Sequence, residues 1–354
     1  MCNKTLITPL ESQNKVNRER YNSLDGLRAY AALGIVLMHV QANMAVKPSA
    51  GYVTERLIPF FTDFTLLFMV VSGFSLCCGY YTRIKEGTIT PNAFYRKRYL
   101  RILPFFALLC IIDLMIEPDL GSLCEVFSNM TLCFGLLPPD TEIHVIGVGW
   151  FLGVVFLFYM LFPFFVFMLD SKRRAWISFA LALVFVLVSF VHFGAPDRRC
   201  MVFCAPLFLV GGLAYMYRPR IADFGRRYTW LSVVGAVVFT VCFFAFREKI
   251  HDSFVNYVFE LLLFALWLVY AVSSKDMVLN NRVTRYLSAI SMEIYLSHML
   301  VFHVVEKAHL ENHIDQNNIL YIVTSLLTIA GVICFAHVAK YYVVQPVVKR
   351  FEKR

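Results

Sequence analysis

Three ionisable residues interrupt the first apolar run of the chain, LDGLRAYAALGIVLMHV: Asp25, Arg28 and His39. Polar groups inside such a run are costly, so their presence points to chemistry rather than to packing. Arg28 and His39 lie eleven positions apart. At about 100° and 1.5 Å per residue, that spacing returns to nearly the same helix face and separates the two side chains axially by about 16 Å. Such a stripe can hold a phosphate or a thioester at the guanidinium end. At the other end the imidazole acts as general base toward a hydroxyl. The plainer alternative is a snorkelling arginine above a hydrogen-bonded structural histidine. Asp25 reads as an N-cap, or as the i, i+3 partner of Arg28, rather than as an acid catalyst.

A second group sits in FYRKRYLRILP, where Arg96, Arg98 and Arg101 stand at the mouth of a later apolar run. Guanidiniums in a row can bind phosphates bidentately, although basic residues at a span end also record topology. A third group is Glu293, Tyr295 and His298 in SMEIYLSHMLVF. Tyr295 and His298 share one helix face, and His298 lies as deep in its run as His39 does in the first. The two imidazoles are therefore expected to line one cavity. Trp150 and Tyr159, in GWFLGVVFLFYMLFP, read either as substrate contacts or as ordinary aromatic packing.

These residues need a scaffold, and the composition names it. The chain is 354 residues long, 59% hydrophobic and only 16% charged, with a mean hydropathy of +0.63, values outside the range of soluble domains. Apolar runs are expected near residues 25 to 45, 57 to 80, 100 to 117, 147 to 169, 175 to 193, 200 to 217, 228 to 246, 254 to 272, 286 to 305 and 319 to 343. The expected fold is all-α, a polytopic bundle of about ten transmembrane helices. The basic clusters at 83 to 101, 172 to 174, 218 to 227 and 275 to 285 then fall on one side, with both termini, and the positive-inside rule makes that side cytoplasmic. The net charge of +9 thus reports orientation, and no nucleic-acid partner is expected. Residues 121 to 139 are too polar for a further span, which would also invert every later cluster, so they read as an external re-entrant or surface helix. The polar stretch ahead of the first run has no small-residue cleavage site, so that run is expected to remain as a helix. The organisation expected is a cytoplasmic segment over 1–22, a transmembrane domain over 23–346 and a basic cytoplasmic tail over 347–354, with no internal repeat. The ten cysteines show no metal-ligand spacing, and only Cys124 and Cys133, in one expected external loop, suggest a disulfide.

The motifs, taken in order, resemble those of the membrane acyltransferase 3 family. SLDGLRAYAALGIVLMHV is similar to its opening helix, with an Arg and a His separated by ten residues. LFMVVSGFSL resembles its Ser-Gly-Phe segment at Ser72, Gly73 and Phe74, and FYRKRYLRILP resembles its F-x-x-x-R-x-x-R-I-x-P pattern at Phe94, Arg98, Arg101, Ile102 and Pro104. The Trp150 segment and the Tyr295/His298 segment are similar to later motifs. Two departures stand out: Val155 where many members carry an acid, and Val344–Gln345 where relatives often have Glu before the proline. The resemblance covers residues 22 to 350 and implies an integral inner-membrane O-acyltransferase. Acyl-CoA, by default acetyl-CoA, is the donor, and a glycan or lipid-linked saccharide is the acceptor. His39 and Arg28 are placed as catalytic, Arg98, Arg101, Arg96 and Ser72 with the donor, and His298, Tyr295 and Trp150 with the acceptor. No metal is implied. The rival is a secondary transporter working through Arg28 and His39, whose usual inverted repeats are not visible here.

Overall fold

The computed structural model describes residues 21–116, 118, 120–137, 146–274 and 276–352. Among these the chain is helical, without a strand. The helices are α1 (Ser23–Asn43), α2 (Val53–Lys85), α3 (Pro91–Ile116), α4 (Leu120–Met130), α5 (Trp150–Met168), α6 (Lys172–His192), α7 (Met201–Ile250), α8 (Phe254–Ser273), α9 (Arg282–Ala289), α10 (Ser291–Glu306) and α11 (Asn317–Phe351). Seven of them, α2, α3, α5, α6, α7, α8 and α11, are long and apolar enough to cross a membrane. An eighth such stretch is the pair α9 and α10, bent by 70° at its break. Helix α1 falls short of that apolarity because Asp25, Arg28 and His39 lie within it.

Local chemistry sets several helix starts. Ser171 and Ser253 accept from the backbone N–H groups of Arg174 and Asn256, and Asn281 forms a reciprocal capping box with Thr284 at the start of α9. Helix α3 begins at Pro91, about nine residues before the expected start, so Arg96, Arg98 and Arg101 stand on its first turns instead of in a loop. Helix α11 runs on through Pro346 to Phe351, so most of the expected basic tail continues the last helix. Helix α4 occupies the stretch read as a surface helix and leaves Leu120, Leu123 and Phe127 exposed. Residues 138–145 lie outside the described residues, as do 1–20. Cys124 and Cys133 are both free thiols.

Helix α7 departs most from an ideal rod. A straight helix of 50 residues would be about 75 Å long, more than twice a bilayer core. At Tyr228 the backbone leaves helical geometry, with φ −138° and ψ 43°. The two ends then meet: Arg198, just before the helix, and Arg247, in its last turn, both bond the carboxylate of Asp63, at 2.7 and 3.1 Å. The element is a hairpin of two antiparallel limbs, which correspond to the runs expected near 200 to 217 and 228 to 246. In the link before it, the Arg199 guanidinium and backbone N–H bond the Asp197 carboxyl and hold it below the usual carboxylate range.

Small residues let these helices approach. A Cβ on Gly73 would fall on the backbone of Phe208, and one on Gly211 would fall on Val70, so α2 and the first limb of α7 touch backbone to backbone. Beside that contact Phe158 stacks on Phe208 with ring centroids 3.9 Å apart. The glycine of the Ser-Gly-Phe motif is thus a packing device.

Candidate active site

One face of α1 meets α2, α3, α5 and α10 around a cavity of about 450 Å³. Arg28, Ser72, Ser75, Tyr80, Arg98, Arg101, Tyr159 and Tyr295 supply most of its polar wall, while Phe68, Phe151 and Leu152 supply apolar surface. Both the volume and the mixture of apolar walls with a few polar groups are those of a small-molecule site.

The guanidiniums are held in different ways. Arg28 donates to Ser75 Oγ at 2.6 Å and lies 3.8 Å from the Asp25 carboxylate, which also accepts from Ser288 at 2.8 Å. Asp25 therefore acts as the partner expected from its i, i+3 spacing. Arg98 donates to Tyr80 Oη at 2.7 Å and rests against the faces of Tyr80 and Tyr159, 4.7 and 5.6 Å from the ring centroids. Its buried Nε–H has no acceptor among the described residues. Arg101 is exposed in the wall and within electrostatic range of Arg28 and Lys340, with no ion pair among the described residues. Arg28 is balanced by Asp25, and Arg98 and Arg101 are not balanced by any carboxylate in the wall. That excess of positive charge favours a ligand carrying phosphates.

Neither histidine lines this cavity, against the expectation that both would line one. Their rings pack with centroids 4.9 Å apart, and the ring of Tyr295, in the cavity wall, lies 6.0 Å from that of His298. His298 Nδ1 lies 2.6 Å from the Tyr295 carbonyl oxygen. A carbonyl only accepts, so Nδ1 carries the proton and Nε2 of a neutral ring presents a lone pair. That Nε2 is buried and has no partner among the described residues. Tyr295 joins the two parts of the site, since its side chain lines the cavity, its carbonyl fixes His298 and its hydroxyl donates to the Val148 carbonyl at 2.8 Å.

Of the residues picked from sequence, Arg28, Ser72, Arg98, Arg101 and Tyr295 come together in the wall, and His39 and His298 form the pair beyond it. Two stand apart. Arg96 faces outward, where its guanidinium donates to the Phe351 carbonyl at the end of α11. Trp150 sits at the start of α5 edge-on to Phe151 and does not reach the cavity.

Sequence reasoning missed Ser75, Tyr80, and the pair Glu293–Lys340. Ser75 follows Ser72 at i, i+3, a spacing that puts both on one face. Tyr80 lies in the wider-wound stretch Cys77–Tyr81, where the helical register slips and face counting fails. Lys340 forms a 2.9 Å ion pair with Glu293 in the interior and also donates to the Ala289 carbonyl. The bend at Ile290 frees that carbonyl, so Lys340 ties the break between α9 and α10.

The profile of a family described as an acyltransferase domain matches residues 21–337 of this chain. The chain is also similar to Protein 2 in the picA locus of Rhizobium radiobacter, at 30% identity over 128 residues, which is 34% of this chain and 62% of that protein. This chain thus spans less than two thirds of that relative's length. No solved structure matches it.

Proposed function

The chain is a member of the acyltransferase 3 family, and from that premise we propose that it moves an acetyl or similar acyl group from cytoplasmic acyl-CoA to a hydroxyl of a glycan or lipid-linked sugar. In this reading it crosses the inner, cytoplasmic membrane ten times with both termini in the cytoplasm. The two limbs of α7 count separately, α9 with α10 counts once, and α1 crosses despite its charges because they face protein.

The observation that carries the reading is the cavity with two unbalanced guanidiniums, Arg98 and Arg101, closed by the tyrosine that orients His298 against His39. The nucleotide phosphates of the donor sit on Arg98 and Arg101, and the pantetheine arm passes Ser72 and Arg28. That arm extends about 15 to 20 Å, close to the axial distance from Arg28 to His39 of about 16 Å, so one donor satisfies both ends. The acceptor oxygen then attacks the thioester carbonyl carbon as its proton passes to His39. The carbon–sulfur bond breaks, and the coenzyme A thiolate leaves toward the cytoplasm and takes up a proton. His298, its Nδ1 committed to Tyr295, orients the His39 ring and the incoming hydroxyl.

Binding and hydrolysis of labelled acetyl-CoA by the purified protein tests this. Arg101→Ala should weaken donor binding, whereas His39→Ala should bind donor and lose transfer. Uptake of a solute by reconstituted protein without any acetyl-CoA binding would replace the proposal with the transporter reading.

A further inference from the structure

A second cavity, of about 510 Å³, opens among the start of α2, the end of α6, the link before α7, the end of α7 and the start of α8. In the proposed orientation all of these segments lie on the face opposite the cytoplasm. Three aromatic rings, Phe190, Phe203 and Tyr257, stand in its wall beside Asp63, Arg198, Arg247, Asn256 and Glu260.

Its charges differ from those of the donor cavity. Arg198 and Arg247 share the Asp63 carboxylate, which is buried, and both lie within electrostatic range of Glu260. At the rim Arg56 pairs with Glu248 and His251 with Asp252. Each arginine in this wall thus has a carboxylate beside it, whereas Arg98 and Arg101 have none in theirs. Two buried polar atoms of the wall nevertheless lack any partner among the described residues: the Nε–H of Arg247, a donor, and Oδ1 of Asn256, an acceptor. Asn256 is held in place by its amide, which donates to Glu260 at 2.9 Å. An unused donor and an unused acceptor in one charge-balanced cavity fit a group that both donates and accepts, such as a hydroxyl. Flat aromatic walls suit the apolar faces of a sugar ring. Arg198, in this wall, lies within electrostatic range of Tyr295, which lines the other cavity.

We infer that this cavity is the acceptor subsite and that it takes a neutral saccharide, whose hydroxyl accepts from Arg247 Nε–H and donates to Asn256 Oδ1. The inference rests on the acyltransferase reading above and adds to it where the acceptor binds and which charge class it belongs to.

The test uses the full chain in nanodiscs and saturation-transfer NMR with a panel of neutral methyl hexosides and the matching methyl uronides. Arg247→Lys keeps a cation for Asp63 but removes the Nε–H, Asn256→Ala removes the acceptor, and Asp223→Asn, paired with Arg226 on the opposite face in the proposed orientation, serves as control. The melting temperature of each variant reports folding, and Arg247→Lys alone carries the test if Asn256→Ala does not fold. Neutral hexosides should bind the wild type and Asp223→Asn alike and bind Arg247→Lys and Asn256→Ala about tenfold more weakly, the loss of one hydrogen bond in a buried site. Equal binding by Arg247→Lys overturns the inference, as does stronger binding of uronides than of hexosides, or binding of no member of the panel. Acetyl-CoA binding to the wild-type protein is measured in parallel. Its absence would sink the acyltransferase reading itself, whereas its presence alongside a failed saccharide result would sink only the subsite.

Discussion

Replacing Lys340 by methionine should unsettle both the stability of the protein and the cavity proposed for the donor. Lys340 and Glu293 are 9% and 3% exposed at their side chains, so their ion pair is screened little by water. Lys340→Met strands two groups, the Glu293 carboxylate, one of whose oxygens already lacks a partner, and the Ala289 carbonyl at the helix break. Removing one member of a buried pair costs about 3 to 5 kcal/mol, and orphaning a buried carbonyl adds about 1 to 3. The paired change Lys340→Met with Glu293→Leu removes the stranded charge and should recover most of the first loss but not the second. Thermal unfolding of detergent-solubilised protein reads the order directly: wild type highest, the double variant between, and Lys340→Met lowest. The bend directs Ser291, Met292 and Tyr295 at the cavity, so acetyl-CoA affinity should fall in the same order. A double variant no more stable than Lys340→Met would show that the pair is not coupled. A full loss of stability with unchanged donor affinity would show that the tie at Ile290 does not shape the cavity.

Three further outcomes follow from contacts already described. Tyr80→Phe removes the hydroxyl that accepts from Arg98 and should weaken acetyl-CoA binding by about fivefold, near 1 kcal/mol, measured by calorimetry, whereas Arg98→Lys loses ring stacking as well and should lose more. Gly73→Leu drives a side chain into the Phe208 backbone and should lower the melting temperature beyond any other single change in α2, while Ser72→Ala should leave it nearly unchanged and act on donor affinity alone. His298→Gln keeps a donor for the Tyr295 carbonyl but loses the ring that packs on His39, so single-turnover transfer should slow while donor binding stays intact.

The stripe from Arg28 to His39 was readable because helical spacing alone determines which residues share a face, and no distant contact is needed to see it. The meeting of His39 with His298 was readable for a related reason, equal depth in two runs. Tyr80 was not, since a wider-wound turn shifts its register and no periodicity announces that turn. The Glu293–Lys340 tie joins helices that only tertiary packing brings together, and a lone lysine in an apolar run carries no sign of its partner. The break at Tyr228 is another such case: charge clustering showed that the chain must reverse between 217 and 228, but the helix continues past the basic cluster and turns later. Trp150 illustrates the opposite error, an aromatic residue whose chemistry suits a binding role and whose position serves packing.

The hairpin of α7 also imposes an order of events on synthesis. Asp63 enters the membrane with α2, and its two cations are encoded 135 and 184 residues later. At about 5 to 20 residues per second, a ribosome delivers the first only after about 7 to 27 seconds. Throughout that interval the carboxylate has neither guanidinium, so α2 cannot take its final seat until the hairpin has been threaded and closed around it. The seating of α2 therefore waits until α3 to α6 and both limbs of α7 have been made.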